Sequence, residues 1–315
     1  MQPAHLSNEA LTSFIEEQLA IWPLAAENFG RLRQVRRRRI PLGDLDSAVQ
    51  CNPARIVSTG ASVDKASIAA RPCFLCEANR PAEQISAEWA DGWHLLVNPY
   101  PILPVHFTIA DKEHRPQGAI PLDMAAMAEA APDMVFFYNG ARAGASAPDH
   151  RHVQAVLAEE LPLLCLAEKI HPSERGTILF SDETDADLPF HFVSAVITPD
   201  SQGMRTLALM PGAFGIDADT NKPDHGLLNA FFRIDRTGLL RIVIVPRRRH
   251  RPACYTGDGD SQLLVSPGAI DMTGLMITPR REDFDKINAD IMRSIYAEVA
   301  FADSLPATIK SYFTI

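Results

Sequence analysis

The sequence predicts an α+β protein in which antiparallel sheets carry flanking helices. Three observations predict it. Short β-rich segments recur across turns, separate stretches place apolar residues at helical spacing, and one strand-plus-corner pattern is written twice. The repeat pairs residues 105–116 with residues 240–252. Each copy runs from a strand through a charged corner to His-Arg-Pro, and each follows an earlier strand, at 95–98 and 229–234. Two half-domains of related topology follow from that repeat. The division is 1–70 as an N-terminal helix with a basic strand and loop extension, 71–200 as the first half, and 201–315 as a second, degenerate half.

Residues 7–30 read as one helix, capped by Ser7 or Asn8, with Leu11, Phe14, Ile15 and Leu19 at helical spacing. Residues 31–70 are basic and then loop-rich, punctuated by Pro41, Gly43, Pro53 and Gly60, and read as short strands and connections. Strands follow at 94–98 and 105–110 across Pro99-Tyr100-Pro101. A helix at 122–130 is ended by Pro132. Further strands are expected at 134–138, 150–156, 178–180 and 190–197.

Composition removes several function classes. The chain has 315 residues, 46% hydrophobic and 22% charged, enough for a full core. A formal charge of −9 argues against duplex nucleic acid as the main partner. No apolar run approaches the roughly 18 residues that span a bilayer. No leader pattern opens the chain, so a cytoplasmic protein is expected. The five cysteines include Cys73-x-x-Cys76, and in a reducing compartment that pair favours metal binding or redox chemistry over a structural disulfide.

The chemistry concentrates in residues 138–154. A small-residue loop holding Gly140 and Gly144 precedes His150-x-His152-x-Gln154. On a strand, positions i, i+2 and i+4 share a face, so His150, His152 and Gln154 are expected on one wall. Glycines let backbone N–H groups approach an anion closely. Histidine beside such a cradle suggests attack on a phosphoryl or nucleotidyl group. His152 is the candidate nucleophile, its second ring nitrogen donating to a backbone carbonyl. Gln154 is placed to hold a phosphate oxygen, Ser146 to stabilise transferred charge, and Asn139 to bind a phosphate oxygen or sugar hydroxyl. Arg142, Arg247 or Arg248 would hold the next phosphate, and Asn98 opens a turn that approaches the nucleoside. His106 reads equally as a core histidine or a ligand contact. Two structural metal ligands, or two surface residues of a hairpin, would give the same His-x-His pattern.

Cys73 and Cys76 suit one tetrahedral zinc, with His114 and His150 as the candidates for the further ligands; a pair of buried free thiols would give the same spacing. Four protein ligands leave no open position, so the zinc would be structural.

At these residues the chain resembles the histidine triad superfamily in its transferase branch. That branch includes galactose-1-phosphate uridylyltransferase, dinucleoside tetraphosphate phosphorylase and GDP-hexose phosphorylase. It has glutamine where other members carry the third histidine, which matches Gln154. The resemblance implies a histidine-triad-like fold, His152 as nucleophile, and zinc on Cys73, Cys76, His114 and His150. Residues 228–246 and 266–274 look most like GDP-hexose phosphorylases. One departure is Asp149, which separates Pro148 from His150 where relatives have proline directly before the histidine; an acid there would repel a substrate anion. The implied function is a nucleotidyltransferase or phosphorylase acting on a nucleoside diphosphate sugar, with phosphate or sugar phosphate as acceptor. The alternatives are a dinucleoside polyphosphate phosphorylase or hydrolase, and a non-catalytic, zinc-stabilised nucleotide-binding protein. Related folds often dimerise across the sheet, which admits a homodimer while the sequence leaves the oligomeric state open.

Overall fold

Alternation along the middle strands decides the architecture. On the strand Met134–Asn139, Val135 and Phe137 join one apolar cluster, while Met134, Phe136 and Tyr138 join another. Both faces of that strand are therefore buried, and a central sheet between two cores results. Burying each Phe contributes roughly 1.5–3 kcal/mol, and a shift of one residue would exchange side chains between two cores already packed around different shapes.

The computed structural model describes residues 7–89, 92–157, 161–197 and 215–313. The boundary read at 200/201 lies outside them. The strands are β1 (Arg36–Arg39), β2 (Ala48–Cys51), β3 (Ala87–Trp89), β4 (Trp93–Val97), β5 (His106–Asp111), β6 (Met134–Asn139) and β7 (His152–Leu157). They continue as β8 (Thr177–Phe180), β9 (Val193–Ile197), β10 (Gly215–Ile216), β11 (Pro223–Asp224), β12 (Leu228–Ile234), β13 (Leu240–Pro246) and β14 (Leu275–Thr278). Nine of them form one sheet in the order β3-β4-β5-β7-β6-β12-β13-β9-β8. All its pairings are antiparallel. A smaller sheet, β1-β2-β14, joins an early strand to a late one through parallel pairing of β2 and β14. The α+β architecture is the one expected, and each copy of the repeat is a hairpin, β4/β5 and β12/β13.

Several details depart from expectation: short helices at Ile56–Thr59 and Lys65–Ala69 lie where strands and connections are expected, the strand expected from residue 190 starts at Val193, and two further differences have a visible cause. The helix read over 7–30 is two helices, Asn8–Ile21 and Pro23–Leu32. Pro23 lacks the N–H that would continue the first helix, and Trp22 is extended, with φ −116° and ψ 96°. Ser7 does cap the first helix, its hydroxyl accepting the Ala10 N–H at 3.2 Å. The strand expected from residue 150 begins only at His152, because residues 147–150 form a turn closed by the His150 N–H on the Ala147 carbonyl.

Candidate active site

His152 opens β7 on the face that carries Phe137 and Val156, beside the first apolar cluster. Its cross-strand partner on β5 is Ala110, whose methyl leaves room for a ring. Gln117 clamps the position. Its side-chain oxygen accepts the His152 N–H at 2.9 Å, and its amide donates to the carbonyls of His152 and Asn139 at 3.0 and 2.7 Å. Nothing in the local sequence pattern signals that role.

The His152 Nδ1–H donates to the His150 carbonyl at 2.8 Å, the carbonyl bond anticipated from the sequence. The ring is therefore the tautomer with a bare Nε2. Burial pushes its pKa down to about 4, against the pull of that carbonyl. The side chain lines a cavity of about 650 Å³. Gln154, two residues on, lines the same cavity, and its Oε1 takes a 2.8 Å hydrogen bond from His106.

The remaining candidates divide. Asn98, Asn139, Gly144 and Ser146 all line the cavity. Asn98 also serves its own turn, accepting the Tyr100 N–H at 2.9 Å. Asn139 Oδ1 is committed to protein, accepting from Ala269 N–H at 2.7 Å and Asn229 at 3.0 Å. Gly144 has φ +98°, and a Cβ there would come within 2.4 Å of Gly268, so two reasons require glycine. Gly140 is not among the lining residues. Its missing Cβ makes room for the Gly226 carbonyl, 2.4 Å from where the atom would stand, so this glycine serves chain packing. Arg142 is absent from the cavity as well, its guanidinium held between Asp217 and Asp224. Arg247 is fully buried against the Val299 and Pro267 carbonyls and Asn229, and Arg248 lies over Phe301. None of these three arginines is placed to meet a phosphate in the cavity.

Other cations line it instead. Arg251 reaches in with Nε on Ser266 at 2.9 Å and Nη2 on the Ala61 carbonyl at 2.8 Å, its guanidinium 4.1 Å over Tyr255. Arg55 donates to the Tyr100 carbonyl at 2.7 Å. Neither forms an ion pair among the described residues, and burial lowers the pKa of both, Arg55 to about 10. Asp271, buried on the same cavity wall, supports the Arg55 charge, so Arg251, on which no carboxylate acts, is the desolvated cation that most favours an anionic occupant. Arg71 also lines the cavity but is paired with Asp149 at 2.9 Å. Asp149 is therefore engaged by a cation, which offsets the repulsion expected of an acid before the motif. The second copy of the repeat marked Arg251; no motif marked Arg55.

His150 does not share the wall of His152 and Gln154. Its Nδ1 lies 3.3 Å from Cys73 Sγ and 3.5 Å from Cys76 Sγ, and His114 Nδ1 lies 3.2 Å from Cys76 Sγ. The four ligand atoms fall within 4.8 Å of one another and could hold a metal ion. Bonds of about 2.3 Å to sulfur and about 2.0 Å to nitrogen at a tetrahedral angle put S and N roughly 3.5 Å apart, so the spacing fits. The His150 ring is oriented by its Nε2–H, which donates to the Asp111 carbonyl at 2.8 Å. Burial disfavours a thiolate at Cys73, yet the His150 hydrogen bond and the Leu75 and Cys76 N–H groups bring it down to about 7.

Comparison with known proteins agrees with this arrangement at the level of the fold. Three solved structures match nearly the whole chain. The fold resembles that of the yeast Ap4A phosphorylase Apa2. Its AMP complex matches with a TM-score of 0.58 at 14% identity, over 92% of this chain and 98% of the other. Its Ap4A complex matches at 0.57 and 15%, over 94% and 98%. Apa2 determined without a named ligand gives 0.57 and 13%, over 92% and 97%. A family model described as a domain of unknown function, DUF4922, matches residues 14–157, which include the Cys-x-x-Cys and the His-x-His-x-Gln. No curated protein sequence matches.

Proposed function

We propose that the protein transfers a nucleotidyl group through a covalent nucleotidyl-histidine on His152, with inorganic phosphate as acceptor and a dinucleoside polyphosphate as donor. The observation that carries the reading is the His152 ring, its Nδ1 proton committed to the His150 carbonyl on a cavity wall. The bare Nε2 attacks the α-phosphorus, forming a P–N bond as the P–O bond to the rest of the substrate breaks and the shortened nucleoside polyphosphate leaves with the electron pair. A phosphate oxygen then attacks the same phosphorus. The P–N bond breaks, a nucleoside diphosphate departs, and the imidazole is neutral again. Gln154 and Ser146 stabilise the charge in flight, Arg251 and Arg55 hold the anionic substrate, and Asn98 and Asn139 support the nucleoside side.

A nucleotide of either donor class is supported by the cavity itself. Leu24, Val57 and Phe74 line it while staying 42%, 58% and 46% exposed, an apolar face suited to stacking a base. The likeness to the Ap4A phosphorylase structures supports the dinucleoside polyphosphate. A nucleoside diphosphate sugar is the second reading, favoured by the resemblance of residues 228–246 and 266–274 to GDP-hexose phosphorylases. Zinc fits Cys73, Cys76, His114 and His150, where it would supply a structural cross-link between the Cys-x-x-Cys loop, the end of β5 and the approach to β7.

Incubation with phosphate and a panel of diadenosine tetraphosphate, GDP-hexose and UDP-hexose tests the scheme. Phosphate-dependent product release is expected with the first, and substrate labelled at the α-phosphorus should leave an acid-labile, base-stable label on wild type but not on His152→Ala. Turnover restricted to a nucleotide sugar would move the assignment to the second reading. An unlabelled, inactive wild type across the panel would leave a nucleotide-binding protein without catalysis.

A further inference from the structure

His106 is fully buried on β5 and is not among the residues lining the cavity, yet both of its ring nitrogens are committed. Nδ1 accepts the Ile102 N–H at 3.1 Å, so Nδ1 carries no proton and Nε2 must carry one. That proton can be given only to an acceptor, and the atom 2.8 Å away belongs to the Gln154 side chain. The amide is therefore fixed with Oε1 toward His106 and its NH2 as the polar end left to the cavity. Burial, then the Arg55 charge, lowers the His106 pKa to about 3, against the Gln154 bond, so the ring stays in this neutral form.

We infer that His106 is a positioning residue that turns Gln154 into an obligate hydrogen-bond donor toward the transferred phosphoryl group. The inference rests on the nucleotidyl-transfer reading of the same cavity. A glutamine free to flip would present its oxygen to the phosphoryl oxygens in part of the population, and two acceptors facing one another repel. The chain Ile102 N–H to His106 to Gln154 removes that half of the rotamer choice before substrate arrives. Phe137, the cross-strand neighbour of Gln154 on β6, has its ring centroid 6.1 Å from that of His106 and confines the pair. Gln154 touches substrate in this account, and His106 acts only through it.

Two measurements test the inference. In 15N-histidine-labelled protein, a long-range 1H–15N spectrum should report His106 with the proton on Nε2, and the resonance should move in Gln154→Ala; a proton on Nδ1 would overturn the inference whatever the activity. In kinetics with diadenosine tetraphosphate and phosphate, His106→Leu should lower kcat roughly ten- to hundredfold, the scale of a misplaced catalytic contact, with KM moving less than about threefold. His106→Gln, which keeps a donor, should recover most of that loss. On a Gln154→Ala background, His106→Leu should cost no further kcat. Additive losses would overturn the positioning while leaving the transfer scheme intact. A Gln154→Ala enzyme of wild-type rate would instead remove the role of Gln154, and the positioning with it.

Discussion

Two corners of the molecule carry the same three residues after the same kind of strand, and they have different surroundings. His114-Arg115-Pro116 follows β5, and His250-Arg251-Pro252 follows β13. In the first, His114 turns to Cys76 and the arginine pairs with Glu113 and, at 3.8 Å, Asp111. In the second, the histidine and the arginine both line the cavity, and the arginine has no carboxylate partner among the described residues. The difference lies in what surrounds each corner. The first meets thiols and acids, which favour a metal and neutralise the guanidinium. The second meets carbonyls, a hydroxyl and an aromatic face, which leave a positive charge to be met by a ligand. Hydrogen-bond completeness separates the two kinds of buried cation: Arg247 is fully partnered by protein and braces the fold, whereas Arg251 faces open space.

The largest expected effect would break the reading of the cavity outright. His152→Ala should reduce phosphate-dependent turnover at least about a thousandfold, as removal of a nucleophile does. Nucleotide binding, followed by calorimetry, should persist. Turnover within about tenfold of wild type would show that the ring is not the nucleophile.

The first corner is probed by metal content. Protein purified without chelator should carry one zinc per chain by mass spectrometry, and His114→Ala should lose most of it. The folded state should lose more than about 3 kcal/mol, part of the roughly 10–16 kcal/mol that a structural zinc contributes. The matching change in the second corner, His250→Ala, should leave zinc at one per chain. Equal zinc loss in both variants would erase the contrast.

Arg251→Ala is the corresponding test of charge in the second corner. Losing a charge-assisted contact of about 1.5–3 kcal/mol should raise KM roughly ten- to hundredfold. The effect should shrink as salt rises. Arg142→Ala, whose guanidinium already belongs to Asp217 and Asp224, should leave KM within about twofold. Similar KM changes in the two variants would mean that ion pairing does not decide which arginine serves the ligand.

Much of this was legible in the sequence, and the failures have a common cause. The hairpins, the Cys-x-x-Cys with His114 and His150, and the placement of His152 and Gln154 are local matters, decided by period-two alternation, turn residues and short spacings. Arg142, Arg247 and Arg248 were expected at phosphate because arginine near a motif attracts that reading. Which arginine stays without a carboxylate depends on Asp217, Asp224 and Asn229, residues remote in the chain, and on contacts no spacing encodes. Arg55 and Gln117 reach the site by the same long-range packing. The break at Pro23 was visible in the sequence, yet the continuing helical spacing of apolar residues overrode it.

The smallest effect concerns the acid before the motif. Asp149 is paired with Arg71, which lines the cavity. Arg71 also lies 4.8 Å over Phe74, in the loop between the two cysteines. The acid thus cancels one cavity cation while tethering it, and the two effects oppose each other. Asp149→Asn keeps a hydrogen-bond acceptor for Arg71 but releases its charge to the ligand. A pair of this kind at the cavity rim, its side chains 26% and 15% exposed, is worth about 0.5–1 kcal/mol, so KM should fall roughly two- to fivefold, and zinc content should not change. Arg71→Ala should raise KM instead. A rise in KM for Asp149→Asn would mean that holding Arg71 in place outweighs cancelling its charge, making the acid a support of the site.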